Sequence, residues 1–139
     1  MSGWVIDSSA ALALGLPDES STAVADFFEK ITAKDDLWVP ALWWYEVSNG
    51  LLVAERRDRI NEAEALRIVE MYRGLPLETD FHSGPEALWR NRALAREHGL
   101  SVYDAAYLEL AGRRELGLAS FDRPLVKAAK KAGLRVLEI

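Results

Sequence analysis

Apolar residues fall into two patterns along this chain: short continuous runs, and longer segments in which they recur every three or four residues. Continuous runs bounded by turn residues are typical of strands that are buried on both faces of a sheet. The periodic segments are typical of helices that bury one side. Val24, Phe27 and Ile31, for example, share one face of a helix that we expect to begin near Ser20.

The two patterns alternate from one end of the chain to the other. Strands are predicted at GWVID (3–7), LWVP (37–40), LPLETD (75–80), GLASFD (117–122) and LRVLEI (134–139). Helices are predicted over 8–15, from residue 20 onward, and over 40–57, 61–73, 85–98, 101–111 and 123–133. Alternation of this kind predicts an α/β fold, a three-layer α/β/α sandwich with a central parallel sheet of four to five strands. Pro76 indicates an edge position for the third strand.

The composition fits a single compact domain over residues 1–139. Half of the residues are hydrophobic and 28% are charged. The longest apolar runs are far shorter than a membrane-spanning helix, and the N-terminus has neither a basic flank nor a long apolar region. We therefore expect a cytoplasmic protein with no membrane association. There is no cysteine and there are only two histidines, so any metal site must consist mainly of oxygen ligands.

Four carboxylates occupy positions from which they could reach one another. Asp7 and Asp122 each end a predicted strand, and ligands of open parallel sheets bind outside these strand ends, where the strand order reverses. Asp104 lies in the first turn of the helix that leads into the fourth strand. Glu46 lies about two turns into the helix after the second strand. If the first and fourth strands are neighbours, we expect all four side chains to converge at one edge of the sheet.

Each acid also has an ordinary structural explanation. Asp7 and Asp122 stand at strand-to-helix junctions, where Asp is a favoured N-cap. Asp104 follows Ser101 by three residues, which is the spacing of a capping box. Glu46 could be a solvated helix residue, although its neighbours are apolar and a lone buried carboxylate would carry a large desolvation cost.

The order and spacing of these segments resemble those of a known family. VIDSSAAL, PALWWYEVSNGL, LSVYDAAYLELA and LASFDRPL, followed by a terminal apolar segment, are similar to PIN-domain ribonucleases and most similar to the VapC type of toxin. The resemblance covers nearly the whole chain. It implies that Asp7, Glu46, Asp104 and Asp122 form the catalytic, metal-binding set, accompanied by the hydroxyl of Ser9.

Further expectations follow from this resemblance. They are an RNA substrate, an antitoxin partner of the VapB type, a homodimer within the toxin–antitoxin complex, and products with a 5′-phosphate and a 3′-hydroxyl. Clustered carboxylates without cysteine favour Mg²⁺ or Mn²⁺, which polarises a phosphoryl oxygen and activates water. We expect Asp7, Asp104 and Asp122 to hold the metal, Glu46 to bind metal or orient water, and Ser9 to support them by hydrogen bonding. The antitoxin would cover an apolar groove, to which residues 27, 28, 43, 44, 51 and 52 could contribute, although core packing is their more ordinary role.

The net charge of −5 weakens long-range attraction to a nucleic acid, although bound cations would offset part of it. Basic residues do cluster locally, around 56–59, 90–96 and 123–131. Two alternatives stay open: a structure-specific DNA nuclease of the same fold, and a non-catalytic Mg²⁺-binding signalling or binding module. A receiver-type signalling module would need adjacent acids after the first strand, whereas Asp7 stands alone. The pattern gives no role to the adjacent Trp43 and Trp44.

Overall fold

The computed structural model describes residues 3–19, 21–32 and 35–137. Its strands are β1 (Gly3–Ile6), β2 (Asp36–Pro40), β3 (Leu77–Asp80) and β4 (Gly117–Ala119). Its helices are α1 (Ser8–Gly15), α2 (Thr22–Thr32), α3 (Leu42–Arg56), α4 (Glu62–Arg73), α5 (Pro85–His98), α6 (Val102–Arg113) and α7 (Arg123–Lys131). Each of these elements was predicted, with bounds shifted by a few residues.

The four strands form one parallel sheet in the order β3-β2-β1-β4. The chain moves outward from β1 through β2 to β3 and then returns to the other side of β1, so the strand order reverses between β1 and β4. Ile6 pairs with Ala119, which places the residues after β1 and after β4 level with each other. The first and fourth strands are neighbours, which is the condition on which the expected convergence of the acids depended, and the edge position of β3 is as predicted.

The predicted fifth strand is wrong over its described part, residues 134–137, which the structure does not form into a strand. Only Val136 forms a bridge, parallel to Leu118, with hydrogen bonds on either side of it at 2.9 and 3.1 Å. Next to this bridge, the Arg135 side chain stacks over the ring of Trp4 and donates to the carbonyl of Gly3, so the segment is attached to β1 by side-chain contacts as well as to β4 by the bridge. Residues 138 and 139 lie outside the described residues.

The core lies between the sheet and its helices. Val5, Leu37 and Leu118 are fully buried on the central strands, as their continuous apolar runs require. Helix α6 packs across β1, β2 and β4, with α5 beside it, while α3 contacts α1, α4 and β2. Local signals set the helix ends: Asn61 forms a capping box with Glu64, and Gly99 ends α5 with a φ of 66°. No helix in the described part of the chain has the length and apolar character to cross a membrane.

Candidate active site

Asp7 is the buried centre of the candidate site, directly after β1. Its side chain caps α1 by accepting a hydrogen bond from the backbone N–H of Ala10 at 2.9 Å, and it also accepts from the hydroxyls of Ser9, at 2.8 and 2.9 Å, and Ser120, at 2.6 Å. Burial, reinforced by the nearby charge of Asp122, raises the pKa of Asp7 from 3.8 to about 6 in spite of these hydrogen bonds. The ionised carboxylate is therefore only partly compensated by its protein partners.

Two serines join the beginning of α1 to the loop that follows β4. The Ser9 hydroxyl, which donates to Asp7, accepts from the backbone N–H of Phe121 at 3.2 Å. The Ser120 hydroxyl, which also donates to Asp7, accepts from the backbone N–H of Asp122 at 2.9 Å. Sequence reasoning named Ser9 and missed Ser120. The signal for Ser120 was its position one residue beyond β4, level with Asp7 across the β1–β4 pairing.

Asp104 and Asp122 lie beside each other at the beginnings of α6 and α7. Asp122 caps α7 by accepting from the backbone N–H of Leu125 at 3.1 Å. Ser101 caps α6 by accepting from the backbone N–H of Asp104 at 3.0 Å, and the same serine side chain also hydrogen-bonds the Asp104 carboxylate. Partial burial and the charge of Asp122 raise the pKa of Asp104. Capping and a shared site are therefore compatible, because the caps and the close approach of the acids occur together.

Glu46 is held by two hydroxyls from other elements. Tyr107 of α6 donates to its Oε1 at 2.5 Å, and Ser8 of α1 donates to the same atom at 3.2 Å. Tyr107 is 1% exposed, and burial, together with the hydrogen bond to Glu46 and the charge of Asp7, raises the pKa of its phenol far above the usual range. The sequence pattern did not indicate this contact, although Tyr107 lies one helical turn after Asp104.

At the edge where β1 and β4 end, the charge of Asp122 acts on both Asp7 and Asp104. Glu46 is attached to the same region through its hydrogen bonds with Ser8 of α1 and Tyr107 of α6. The donor set of oxygen atoms from these acids, with a buried and under-compensated Asp7, fits a hard divalent cation. Among residues 3–19, 21–32 and 35–137, however, no three Asp, Glu or His side chains are arranged so that they could hold an ion as they stand. The acids are thus held by hydrogen bonds to protein groups and do not form a ready coordination sphere.

A second buried acid, Asp80 at the end of β3, has a different environment. Arg113 donates to both of its oxygens, at 2.8 and 3.1 Å, and Arg114 donates at 2.9 Å. Burial alone would raise the pKa of Asp80, but the two guanidinium groups hold it well below its usual range. Since its charge is fully paired, Asp80 has no need of a further cation, in contrast to Asp7.

Comparison with known proteins supports the same reading of the chain. A family model for the PIN domain matches residues 4–131. Ribonuclease VapC3 of Pyrobaculum aerophilum is 35% identical over 123 residues, which are 88% of this chain and 92% of that relative. Ribonuclease VapC9 of Mycobacterium tuberculosis is 33% identical over 119 residues, 85% of this chain and 84% of the relative. This chain belongs to the VapC group of PIN-domain ribonucleases.

Solved structures agree with this assignment. The crystal structure of PAE2754 from P. aerophilum matches this VapC-type chain with a TM-score of 0.70 at 28% identity, over 97% of this chain and 83% of that one. VapC20 of M. tuberculosis, described as a sarcin–ricin loop cleaving toxin, has a TM-score of 0.70 at 13% identity, over 99% of this chain and 98% of that one, which shows a shared fold alone. A receiver-type signalling module is excluded, because its order places β1 between β2 and β3, whereas here β1 lies between β2 and β4.

The two adjacent tryptophans of this PIN domain have different surroundings. Trp43 is 1% exposed and packs edge-on against Trp44 and Tyr72. Trp44 is half-exposed, and its indole N–H donates to the hydroxyl of Thr79 at 2.9 Å. Both line an apolar groove of about 670 Å³ between α3 and α4, where Leu66 is also exposed. The other residues named for such a groove are mostly in the core: Phe27, Phe28 and Leu51 are buried, and only Leu52 is exposed at the groove.

Proposed function

We propose that this chain is a metal-dependent endoribonuclease and the toxin of a toxin–antitoxin pair. The observation that carries the proposal is Asp7: a buried carboxylate with a raised pKa, beside Asp122, at the strand-order reversal of a VapC-type fold. A buried charge in this position costs free energy unless a cation or a proton neutralises it. A bound cation would meet that need at neutral pH.

Roles for the individual residues follow from their contacts. Asp7, Asp104 and Asp122 would hold Mg²⁺ or Mn²⁺, which supplies polarisation of the phosphoryl group and a lowered pKa for water. Ser9 and Ser120 fix the Asp7 carboxylate and tie it to the backbone that carries Asp122. Glu46, oriented by Tyr107, would bind the metal or orient the attacking water. The raised pKa of the Tyr107 phenol keeps its proton on the oxygen, so that it acts as a donor to Glu46 throughout.

The direct test is cleavage of RNA by the purified protein with Mg²⁺ or Mn²⁺. We expect cleavage to 5′-phosphate and 3′-hydroxyl ends, its loss in a chelator, and its loss in Asp7→Asn. Asp26→Asn, an exposed acid on α2, is the matched control and is expected to cleave like the unchanged protein. Cleavage that persists in Asp7→Asn would contradict the assigned chemistry, and cleavage of DNA alone would favour the structure-specific DNA nuclease.

The partner part of the proposal is an antitoxin of the VapB type, in a complex that contains a homodimer of this chain. The α3–α4 groove, with its exposed Trp44, Leu52 and Leu66, offers apolar surface to an antitoxin segment. Phe81, Leu88 and Trp89 offer separate exposed apolar surface around the beginning of α5 for the second copy. A cytoplasmic location belongs to the same proposal, because the RNA and the antitoxin would be met there. Growth arrest on expression, relieved by the small protein encoded beside this chain, is the expected cellular result.

A further inference from the structure

A cleft of about 490 Å³ lies between the end of α5 and the outer side of α7. Glu97 and His98 line it from α5, and Arg123, Lys127 and Lys131 line it from α7. None of the acids assigned to the active site lines this cleft. It is therefore a separate feature that the proposed cleavage reaction does not use.

The α7 side of the cleft is strongly cationic. Arg123, Lys127 and Lys131 follow one another at intervals of four residues, which places them in one row along the helix. All three are exposed, α7 contains no acidic residue, and no ion pair joins any of the three to a carboxylate within the described ranges. By contrast, Arg59 and Arg113 are paired with acids at 2.7 to 2.9 Å. In a protein of net charge −5, a row of cations without acidic partners indicates an anionic ligand.

His98 supplies a second and independent indication. Its side chain is 6% exposed, and its Nδ1 has no hydrogen-bond partner among the described residues, while its Nε2 lies 3.4 Å from Glu97. A buried polar atom without a partner is costly, and such atoms are usually satisfied by a ligand or water. His98 lines the cleft beside Lys127 and Lys131, so an anion held by these lysines would lie next to this imidazole. Glu97, the one acid that lines the cleft, lies on the Nε2 side of the imidazole.

The cleft is also close to the candidate active site along the chain. Arg123 directly follows Asp122, the N-cap of α7. His98 ends α5, and only the short 99–101 connection separates it from α6, which carries Asp104 in its first turn. The cleft therefore adjoins the two elements that contribute Asp104 and Asp122.

We propose that this cleft binds a backbone phosphate of the RNA substrate, next to the phosphate that is cleaved, through Arg123, Lys127, Lys131 and His98. This inference rests on the proposed function, because it assumes that the substrate is RNA. In this proposal, cations of α7 bind the RNA backbone although the protein as a whole has a net negative charge. The RNA would extend from the active-site carboxylates along the side of the molecule formed by α5 and α7.

The test is RNA binding measured separately from cleavage. The affinity of Asp7→Asn protein for a single-stranded RNA is determined between about 50 and 200 mM salt, with and without the added pair Lys127→Gln and Lys131→Gln. We expect the pair to weaken binding about tenfold and to reduce the slope of log affinity against log salt by about 0.7 to 1.4, for one or two lost phosphate contacts. Arg56→Gln with Arg57→Gln is the matched control, since it removes the same charge from the C-terminal end of α3. We expect this control to change the RNA affinity and the salt slope little. The metal-free unsubstituted chain gives the same comparison if Asp7→Asn folds poorly.

The outcomes separate this inference from its premise. Equal affinities and salt slopes in the Lys127/Lys131 variant and the control variant would overturn it. A second measurement follows the ¹⁵N resonance of His98 Nδ1 during addition of RNA or of inorganic phosphate. We expect RNA to shift this resonance in the unsubstituted protein, and to shift it less in the Lys127/Lys131 variant. If inorganic phosphate moves this resonance but the lysine changes leave RNA affinity intact, the cleft is a free-anion site and the inference is wrong. If RNA binds through the cleft but the unsubstituted protein with metal cleaves no RNA, the proposed function fails instead.

Discussion

At Asp7, one side chain has two roles whose contributions to stability are opposed. As an N-cap it satisfies the N–H of Ala10 and stabilises α1. As a buried anion beside Asp122 it destabilises the metal-free protein, because its folded-state pKa of about 6 exceeds the ordinary aspartate pKa of 3.8. A carboxylate whose pKa is raised by folding contributes stability below its unfolded pKa and loses that contribution as the pH rises through the folded value.

We therefore expect Asp7→Asn to stabilise the metal-free protein at pH 7.5. The difference between 3.8 and about 6 corresponds to about 3 kcal/mol, which is an upper value because Asn donates to one of the serines instead of accepting from it. The gap between the two proteins should narrow towards pH 4, where the carboxyl is protonated. Thermal unfolding in a chelator measures this, and added Mg²⁺ should raise the midpoint of the unchanged protein alone. An Asp7→Asn protein that is less stable in chelator at pH 7.5 would contradict the account.

Tyr107 allows a second prediction at the scale of one atom. Tyr107→Phe removes the hydroxyl that holds Glu46 and keeps the buried ring, so we expect cleavage to fall 10- to 100-fold and the Mg²⁺ concentration for half-maximal rate to rise. Tyr72→Phe is the matched control: it removes another buried hydroxyl, which donates to the carbonyl of Ala11 at 2.6 Å. That change should cost about 1 kcal/mol of stability and leave the Mg²⁺ dependence unaltered. Equal losses of activity in both variants would show that Tyr107 acts only through the fold.

At the scale of elements, the predictable features are those that depend on neighbours in the sequence. The apolar runs of β1 and β2, the caps at Asn61 and Ser101, and the C-terminal Gly99 of α5 have local causes. The position of β4 beside β1 was only a condition at the level of sequence, although parallel α/β sheets reverse their strand order in few ways.

Features that depend on contacts between distant parts of the chain could not be predicted from the local sequence pattern. Ser120 reaches Asp7 only because Ile6 pairs with Ala119, and Tyr107 reaches Glu46 across 61 residues of sequence. The fifth strand has the same limit: its apolar pattern predicted a strand, but whether that segment pairs depends on β4, and the pairing extends only to the bridge between Leu118 and Val136. Local pattern thus gave the acids as candidates, while tertiary pairing determined which hydroxyls hold Asp7 and Glu46.

At the scale of the whole molecule, two groups of exposed apolar residues in the described part of the chain serve different partners in the proposed assembly. Leu66, 61% exposed, stands on α4 at the α3–α4 groove, and Leu88, 65% exposed, stands near the beginning of α5. Large exposed side chains of this kind are typical of protein contact sites, and a single charge placed within such a contact must be desolvated without a partner. Because neither side chain supports the core, Glu at either position should leave the fold and RNA cleavage nearly unchanged.

We expect that the antitoxin no longer rescues growth of cells that express Leu66→Glu, while this variant keeps the oligomeric state of the unchanged protein. For Leu88→Glu we expect the antitoxin to rescue growth, while the purified variant loses the homodimer. Growth on co-expression with the antitoxin measures the first property, and light scattering of the purified protein, with cleavage of RNA as the check on folding, measures the second. Each variant serves as the control for the other, since both replace an exposed helical leucine by the same charge. If the antitoxin rescues Leu66→Glu but not Leu88→Glu, the antitoxin binds at the beginning of α5, and the assignment of the two surfaces is wrong. If neither substitution changes either property, the partners bind elsewhere on the molecule, and the α3–α4 groove is then only the surface left by packing Trp43 against Tyr72.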